Sequence, residues 1–271
     1  MRNTLALCLL WLPILGVSLE AREFEVRLLK GNEKSGYWGT DEFQCYVNSL
    51  GVIRHVSVRG TKVFRQAAAL YTLPYPPDAK KAVRTVQGEG GKGRGLTVEP
   101  PEMSTRDERG TRIFEFRHVV ANEKVLDGEP LCEIKQKIAI EPLGEIHVTY
   151  DIEWLRTLRW RMFSHLLIYD QETFAGRPYL ALAGDRVFEG DLNPGPITEC
   201  RIRHKSFDRL TLRPEIGPVH IVWQTKANCS FHWAKSIQLH FGPAAVPTRG
   251  FIYKGSKDRI EYTILLPVSL Q

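Results

Sequence analysis

Residues 132–154 read CEIKQKIAIEPLGEIHVTYDIEW, and this stretch decides the fold class. In Cys132–Ile140 apolar and charged residues largely alternate, and in Glu145–Trp154 the alternation continues without error. A repeat of two residues is typical of a β-strand with one buried face, and residues 141–144 (EPLG) supply a turn between the two runs. The stretch therefore predicts an antiparallel hairpin.

The rest of the chain shows similar short apolar runs between turn signals. Further strands are predicted at 23–29, 42–48, 52–58, 113–118, 197–204, 209–212, 219–225, 230–241 and 259–266. Residues 155–167 fit either a short helix or a strand with an irregular start. No amphipathic helix of ordinary length is predicted. The sequence thus predicts an all-β fold, an antiparallel β-sandwich with few short helices, of which a supersandwich is one form.

The N-terminus has the residue order of a secretory signal. Arg2 precedes an apolar run over residues 5–17, and charges begin again at Arg22. A charged start, an apolar middle and a small-residue cleavage site predict a signal peptide over residues 1–21, cut near Ala21.

Cleavage after Ser18 is one alternative, and an uncleaved anchor is another, although the apolar run is short for a span of about 20 residues. We expect residues 22–271 to form a single β-sandwich domain without a transmembrane span, exported to the periplasm or the extracellular space. Within it, residues 74–110 are rich in Gly and Pro and predict a flexible loop. Lys92 in this loop is followed by Gly93 rather than Ser or Thr, which disfavours a nucleotide-binding loop.

The formal net charge is +6. A basic exported protein can bind an anionic polysaccharide or another anionic surface, and ordinary solubility is the alternative explanation. No nucleic-acid-binding motif accompanies the charge, so nucleic acid is not an expected partner. No serine-hydrolase, zincin or EF-hand signature occurs, and we expect neither a metal nor a cofactor.

Four cysteines follow the predicted signal: Cys45, Cys132, Cys200 and Cys229. In an oxidising compartment they could form two disulfides, and buried free thiols are the equally weighted alternative. If one bridge forms, Cys200–Cys229 is favoured because both cysteines lie on neighbouring predicted strands.

Two stretches, residues 43–63 and residues 138–154, resemble galactose mutarotase-like β-supersandwich proteins. Residues 43–63, with VIRHVSVRGTK at 52–62, resemble the opening hairpins of that family, and residues 138–154 resemble its long hairpin. The resemblance implies a concave sheet face that binds sugars. Epimerases of the family use an acid that protonates the ring oxygen and a base that takes the anomeric hydroxyl proton, drawn from histidines and a late carboxylate. Residues of suitable type here are His165, His220, His232 and Glu261.

A basic and aromatic cluster lies just after the middle of the chain, with Arg156, Arg159, Trp160, Arg161 and His165 close together. Guanidinium groups pair with carboxylates and indoles stack on sugar rings, so this cluster would suit a polymer of uronic acids. The favoured alternative is a solvated strand edge with Trp160 in the core.

Two later histidines form another candidate site. If the strands predicted at 219–225 and 230–241 pair, His220 and His232 approach each other and could do acid/base work or bind a metal with a carboxylate. Core or rim histidines without such a role are the more favoured alternative.

Together these features predict an exported carbohydrate-binding or carbohydrate-active protein, with acidic glycans among the candidate ligands. The expected substrate-binding residues are Arg159, Trp160, Arg161, His165, His220, His232 and Glu261. The alternative is a structural or protein-interaction domain of the cell envelope without catalytic activity. The sequence does not decide between an enzyme and a binding protein, because a fold of this kind serves both.

Overall fold

A computed structural model describes residues 25–76, 80–87, 100–204, 206–243 and 251–269, so the predicted signal at 1–21 lies outside the described residues. The described chain is dominated by strands, which confirms the all-β prediction. Its helical content consists of α1 (Gln171–Phe174) and a 3₁₀ turn at Leu126–Gly128. Neither of these described segments is long enough to cross a membrane as a helix.

The strands follow one another in chain order. They are β1 (Arg27–Asn32), β2 (Ser35–Gly39), β3 (Phe43–Val47), β4 (Ile53–Val58), β5 (Thr61–Ala68), β6 (Leu70–Pro74), β7 (Thr85–Val86), β8 (Glu102–Glu108), β9 (Thr111–Val120), β10 (Cys132–Ile140), β11 (Glu145–Trp154), β12 (Leu158–Tyr169), β13 (Pro178–Ala183), β14 (Arg186–Asp191), β15 (Arg201–His204), β16 (Arg209–Leu212), β17 (Val219–Trp223), β18 (Ala227–His232), β19 (Gln238–Pro243), β20 (Phe251–Ile252) and β21 (Lys257–Leu265).

These strands form two antiparallel sheets. Sheet 1 has the order β1-β2-β3-β4-β5-β12-β19-β18-β15, with β6 and β20 pairing to β12 and β7 pairing to β6. Sheet 2 has the order β14-β13-β16-β17-β21-β11-β10-β9-β8. One continuous apolar core draws on both sheets, so the sandwich prediction is confirmed.

The hairpin β10–β11 is the most regular part of sheet 2, and its predicted bounds are confirmed. Its pairing runs without a break from Cys132↔Trp154 to Ile140↔Ile146, and the predicted apolar face is buried. In the turn, the Gly144 N–H donates to the Glu141 carbonyl at 3.1 Å. Gly144 has a φ of +79°, which favours glycine.

Aromatic side chains join the two sheets across the core. Trp154 of β11 meets Trp160 and Phe163 of β12 at centroid distances of 5.3 and 5.0 Å, each edge to face. Such geometry is the favoured one for aromatic pairs. The core therefore lies between sheets, and the polar side chains of β10, β11 and β21 lie on the outer face of sheet 2.

Several predicted elements differ from the structure. Residues 230–241 were expected to form one strand but form β18 and β19, because the chain reverses between Trp233 and Ile237. The buried side chains on both sides of the turn are all at odd-numbered positions: Phe231, Trp233, Ile237 and Leu239. The apolar alternation therefore continues unchanged through the turn, and the sequence pattern does not reveal the reversal. Residues 155–167 contain the start of strand β12, and β15 begins later than predicted.

The predicted flexible loop at 74–110 is wrong for part of its length. It contains β7 and β8, while residues 77–79 and 88–99 lie outside the described part. Strand β8 is an edge strand whose side chains are nearly all exposed, so it lacks the apolar alternation that would have revealed it.

The four cysteines in the described chain are buried free thiols, and the favoured Cys200–Cys229 bridge is not formed. In the pairing of β15 with β18, the residue opposite Cys229 is His204, four positions away from Cys200. The Cys200 thiol instead contacts the Asn193 carbonyl at 3.4 Å. The strands β15 and β18 are therefore neighbours, as predicted, but their register keeps the Cys200 and Cys229 thiols apart.

Candidate functional site

An open cavity of about 1000 Å³ lies on the outer face of sheet 2. Strands β8, β9, β10, β11 and β21 line it, and most of the lining side chains are charged or polar. Successive residues of a strand face opposite sides of the sheet. In each of these strands one alternating set of side chains is therefore buried in the core, and the other set forms the surface of this cavity.

The register of the three central strands arranges the cavity side chains in rows. Lys137, Thr149 and Glu261 stand opposite one another in β10, β11 and β21. The next row holds Lys135, Asp151 and Arg259. Cross-strand neighbours of this kind lie about 5 Å apart, so the side chains of both rows can contact one ligand.

Ion pairs hold the β21 side of the cavity. Arg259 donates to Asp151 at 3.1 Å and to Glu261 at 3.0 Å. The hydrogen bond with Glu261 raises the pKa of the Arg259 guanidinium. These groups are about half exposed, so the pairs mainly fix the positions of the side chains and add little to stability.

The lysines of β10 have a different environment. Lys135 and Lys137 are exposed, and no carboxylate of the described residues lies within ion-pairing distance of either ammonium. Arg109, at the turn between β8 and β9, also lines the cavity without such a partner among the described residues. In contrast, five of the described carboxylates that line the cavity, Glu102, Glu108, Glu115, Asp151 and Glu261, each lie within 4.0 Å of an arginine, as Glu115 does of Arg106 at 2.8 Å.

His147 lies at the end of the cavity beside the β10–β11 turn. Its Nε2 is 3.0 Å from Glu141 Oε1 and 3.4 Å from Glu145 Oε2. Its Nδ1 is 2.9 Å from the Thr263 hydroxyl, which also accepts from the Gln224 amide at 2.8 Å. Among the described residues, Glu141, Glu145 and His147 form the group whose three potential metal-ligand atoms lie within 4.8 Å of one another.

Two of the predicted site residues lie on the outer face of sheet 2. Glu261 lines the cavity itself. His220, on β17, is paired through Nδ1 with the Thr211 hydroxyl at 2.9 Å. Burial, together with the charges of Arg209 and Arg213, lowers the pKa of His220.

The predicted cluster around β12 is not brought together. Trp160 and His165 are buried in the core, at 1% and 0% exposure, whereas Arg159 and Arg161 are exposed. The Arg159 guanidinium lies 4.7 Å from the centre of the Tyr75 ring. Direct contact of a ligand with Trp160 and His165 is therefore excluded by their burial, and the favoured alternative of Trp160 in the core is confirmed.

His165 occupies an aromatic site between the sheets. Its ring lies 4.1 Å from Tyr150 and 5.3 Å from Phe241, and neither ring nitrogen has a hydrogen-bond partner. Burial without a partner disfavours the charged form and lowers the pKa of His165 to about 3. It is therefore a neutral core histidine.

The expected approach of His220 and His232 is wrong. His220 lies on β17 in sheet 2 and His232 on β18 in sheet 1, so their strands do not pair. His232 instead stacks on His240 at 5.6 Å on the outer face of sheet 1. Burial, and then the charge of Arg201, lowers the pKa of His232.

Five residues that shape the cavity, among others that line it, were not singled out from the sequence. They are Lys135, Lys137, His147, Asp151 and Arg259. The signal was present for the first four, because the alternation of β10 and β11 places them on the polar face of one hairpin. That polar face becomes one wall of a cavity only when β21 pairs beside β11.

No protein-family model matches this chain, and no curated protein matches it in sequence. Solved structures of similar fold include a galactose 1-epimerase from Lactobacillus acidophilus, with a TM-score of 0.51 and 6% identity over 89% of this chain and 98% of the epimerase. A heparan sulfate lyase from Pedobacter heparinus has a TM-score of 0.50 and 7% identity over 93% of this chain, which spans only 38% of the lyase.

An aldose epimerase homologue from C. elegans has a TM-score of 0.48 and 10% identity over 85% of this chain and 98% of the homologue. Identities this low show architecture alone, because one fold of this kind supports many activities. At the level of architecture, the chain has the galactose mutarotase-like β-supersandwich fold.

Proposed function

We propose that this chain is an exported carbohydrate-binding protein whose ligand is an acidic saccharide held in the cavity of sheet 2. The observation that carries the proposal is the pair of lysines on β10. Lys135 and Lys137 stand in the cavity with no described carboxylate within ion-pairing distance of either ammonium, and Lys135 acts on Glu133 only at longer range, while Glu115 and Asp151 nearby are paired with arginines. An anionic ligand group would supply the missing partner.

The other cavity groups suit the rest of a sugar. Carboxylates accept hydrogen bonds from sugar hydroxyls, hydroxyl side chains both donate to them and accept from them, and charge-assisted bonds are the stronger kind. Asp151, Thr149 and Glu261 offer such groups beside the lysines. A cavity of about 1000 Å³ has room for several sugar units.

Two further features support the proposal. The N-terminal sequence has the order of a signal peptide, which would place the domain among extracellular or periplasmic polymers. The fold is shared with a galactose 1-epimerase and a heparan sulfate lyase, and both names refer to saccharides.

The test is a titration of the purified mature chain with a hexuronic-acid tetrasaccharide and with a neutral glucose tetrasaccharide. We expect the acidic ligand to bind and the double variant Lys135→Gln/Lys137→Gln to bind it about tenfold more weakly, or about 1.4 kcal/mol. Added salt should weaken binding by the wild type more than by the double variant, because salt screens exposed charges.

The matched control is Lys30→Gln/Lys34→Gln, which removes two exposed lysines from the β1–β2 hairpin of sheet 1. This control should bind as the wild type does. Failure of a wider set of acidic and neutral saccharides to bind or to raise the melting temperature would contradict the proposal, and so would equal weakening by both double variants.

A second candidate is a protein-interaction domain of the cell envelope. It is favoured by an exposed aromatic pair, Phe251 at 56% and Tyr253 at 68% exposure. Exposed rings of this size suit a protein contact as well as a sugar contact. The saccharide titration separates the two surfaces. If the lysines form the saccharide site, the double variant Phe251→Ser/Tyr253→Ser should bind the acidic saccharide as the wild type does.

A further inference from the structure

Three side chains with metal-ligand atoms converge at the start of β11. His147 Nε2 lies between Glu141 Oε1 at 3.0 Å and Glu145 Oε2 at 3.4 Å. Imidazole nitrogen and carboxylate oxygen are both common ligands of Zn²⁺.

The spacing matches the separation of ligands around a small divalent ion. With metal–ligand bonds of about 2.0 Å and tetrahedral angles, two ligand atoms lie about 3.3 Å apart. The two nitrogen–oxygen distances of the cluster, 3.0 and 3.4 Å, lie on either side of that value. Two of the ligand distances are therefore already near the value that a bound ion requires, and all three ligand atoms lie within 4.8 Å of one another.

The local backbone fixes the cluster. Glu145 and His147 are two residues apart on one face of β11, and the tight turn returns Glu141 to the same place. The Glu141 N–H donates to the Glu145 carbonyl at 2.8 Å, which closes the turn. A site built on paired strands is held more precisely than one built on a mobile loop.

A second layer of contacts orients the imidazole. The Thr263 hydroxyl contacts His147 Nδ1 and is itself fixed by the Gln224 amide. When Nδ1–H donates to this hydroxyl, the lone pair of Nε2 is directed between the two carboxylates. Histidine ligands of metals commonly have their other nitrogen held in this way.

We propose that Glu141, Glu145 and His147 bind one divalent ion of the Zn²⁺ class, with its remaining coordination position open to the cavity. A neutral imidazole and two carboxylates bring two negative charges, which a divalent cation balances. The alternative is a protonated His147 paired with both carboxylates. The inference does not depend on sugar binding, because the ligands are protein groups.

The test is a titration of metal-free, tag-free mature protein with Zn²⁺ alone, near pH 7, against a chromophoric chelator. We expect one equivalent to bind. Loss of a group that only orients a ligand commonly costs about 10–100-fold in metal affinity, so loss of a ligand itself, by His147→Ala or Glu145→Gln, should weaken binding at least about tenfold. All three ligands lie on the outer face, so these variants should keep the wild-type melting temperature without metal.

The matched control is His220→Ala. His220 has the same contact of Nδ1 with a threonine hydroxyl, at 2.9 Å, but its charged neighbours are Arg209 and Arg213. It should bind Zn²⁺ as the wild type does. The proposal is overturned if no equivalent binds, if His147→Ala binds as tightly as the wild type, or if His220→Ala weakens binding equally. Each of these results leaves the sugar titration to be judged by itself.

Discussion

At the scale of single residues, strand β12 changes partway along its length which alternate side chains it buries. On β12 a bulge lies between Trp160 and Met162. Leu158 and Trp160 are buried before it, and Phe163 and His165 after it, so the buried parity changes from even to odd. Arg161 and His165 are both at odd-numbered positions, so a regular strand would place them on the same side, but the bulge places them on opposite sides of sheet 1. No residue pattern in this stretch signals the bulge.

The buried His165 should make stability depend on pH. Its pKa is lowered from 6.5 to about 3 in the folded protein, so between these values the unfolded chain binds the extra proton. The free energy of unfolding therefore falls as the pH falls through this range, by up to about 1.4 kcal/mol per pH unit for this one group.

The variant His165→Leu tests this directly. It replaces a ring with two unpartnered nitrogens by an apolar side chain of similar volume. We expect equal or higher stability at pH 7 and a shallower loss of stability from pH 6.5 to 4, measured by urea unfolding at several pH values. Parallel pH profiles for the variant and the wild type would show that His165 does not titrate on unfolding.

At the scale of elements, local pattern and turn chemistry were enough for β10 and β11. Their alternation is unbroken, and the EPLG turn contains a glycine at the position where φ is positive. The split between β18 and β19 was missed for the opposite reason, because the reversal contains neither proline nor glycine and keeps the apolar parity. Strand β8 was missed because an exposed edge strand has no apolar face.

The glycine of the β10–β11 turn gives a prediction with an internal control. Gly144 and Gly60 have the same φ of +79°. A Cβ at Gly144 would lie 2.5 Å from Val268 Cγ2, whereas a Cβ at Gly60 would meet nothing within 4 Å. Both substitutions should cost about 1 kcal/mol for the left-handed backbone, and Gly144→Ala should cost about 1–3 kcal/mol more for the clash.

Urea midpoints of Gly144→Ala and Gly60→Ala measure the difference. Equal losses of stability would mean that the C-terminal segment around Val268 moves away without cost. Because Glu141 belongs to the same turn, Gly144→Ala should also weaken Zn²⁺ binding, whereas Gly60→Ala should not.

At the scale of the whole molecule, the sequence predicted two packed layers but not the order of the strands. The order depends on pairings between distant segments, such as Thr149↔Glu261 in sheet 2. The cavity depends on the same pairing, since it brings Arg259 of β21 to Asp151 of β11 and places Glu261 beside Thr149. Glu261 could be selected from the sequence as a carboxylate of suitable type, but Asp151 and Arg259 could be recognised as its neighbours only from this pairing.

The buried thiols predict how the whole protein responds to reductant. Burial raises the pKa of Cys45 and of Cys229 to about 12, and raises that of Cys132 as well. A thiol reacts as its thiolate, so these groups should be inert in the folded protein. The melting temperature should be the same with and without dithiothreitol, and alkylation should require unfolding.

A lower melting temperature in reductant would instead indicate a disulfide, whose loss costs about 2–5 kcal/mol in small secreted domains. Mass measurement of the non-reduced protein distinguishes the cases, because each disulfide removes two hydrogens. Peptide mapping would then identify the pair.

The position of β21 in sheet 2 also sets the order of events during folding. This late strand lies between β17 and β11, so the two halves of the sheet cannot join until residues 257–265 are present. A chain still being synthesised would therefore lack the strand that joins β11 to β17. Distant pairings of this kind slow folding, because the long loop between the paired strands must close before their contacts form.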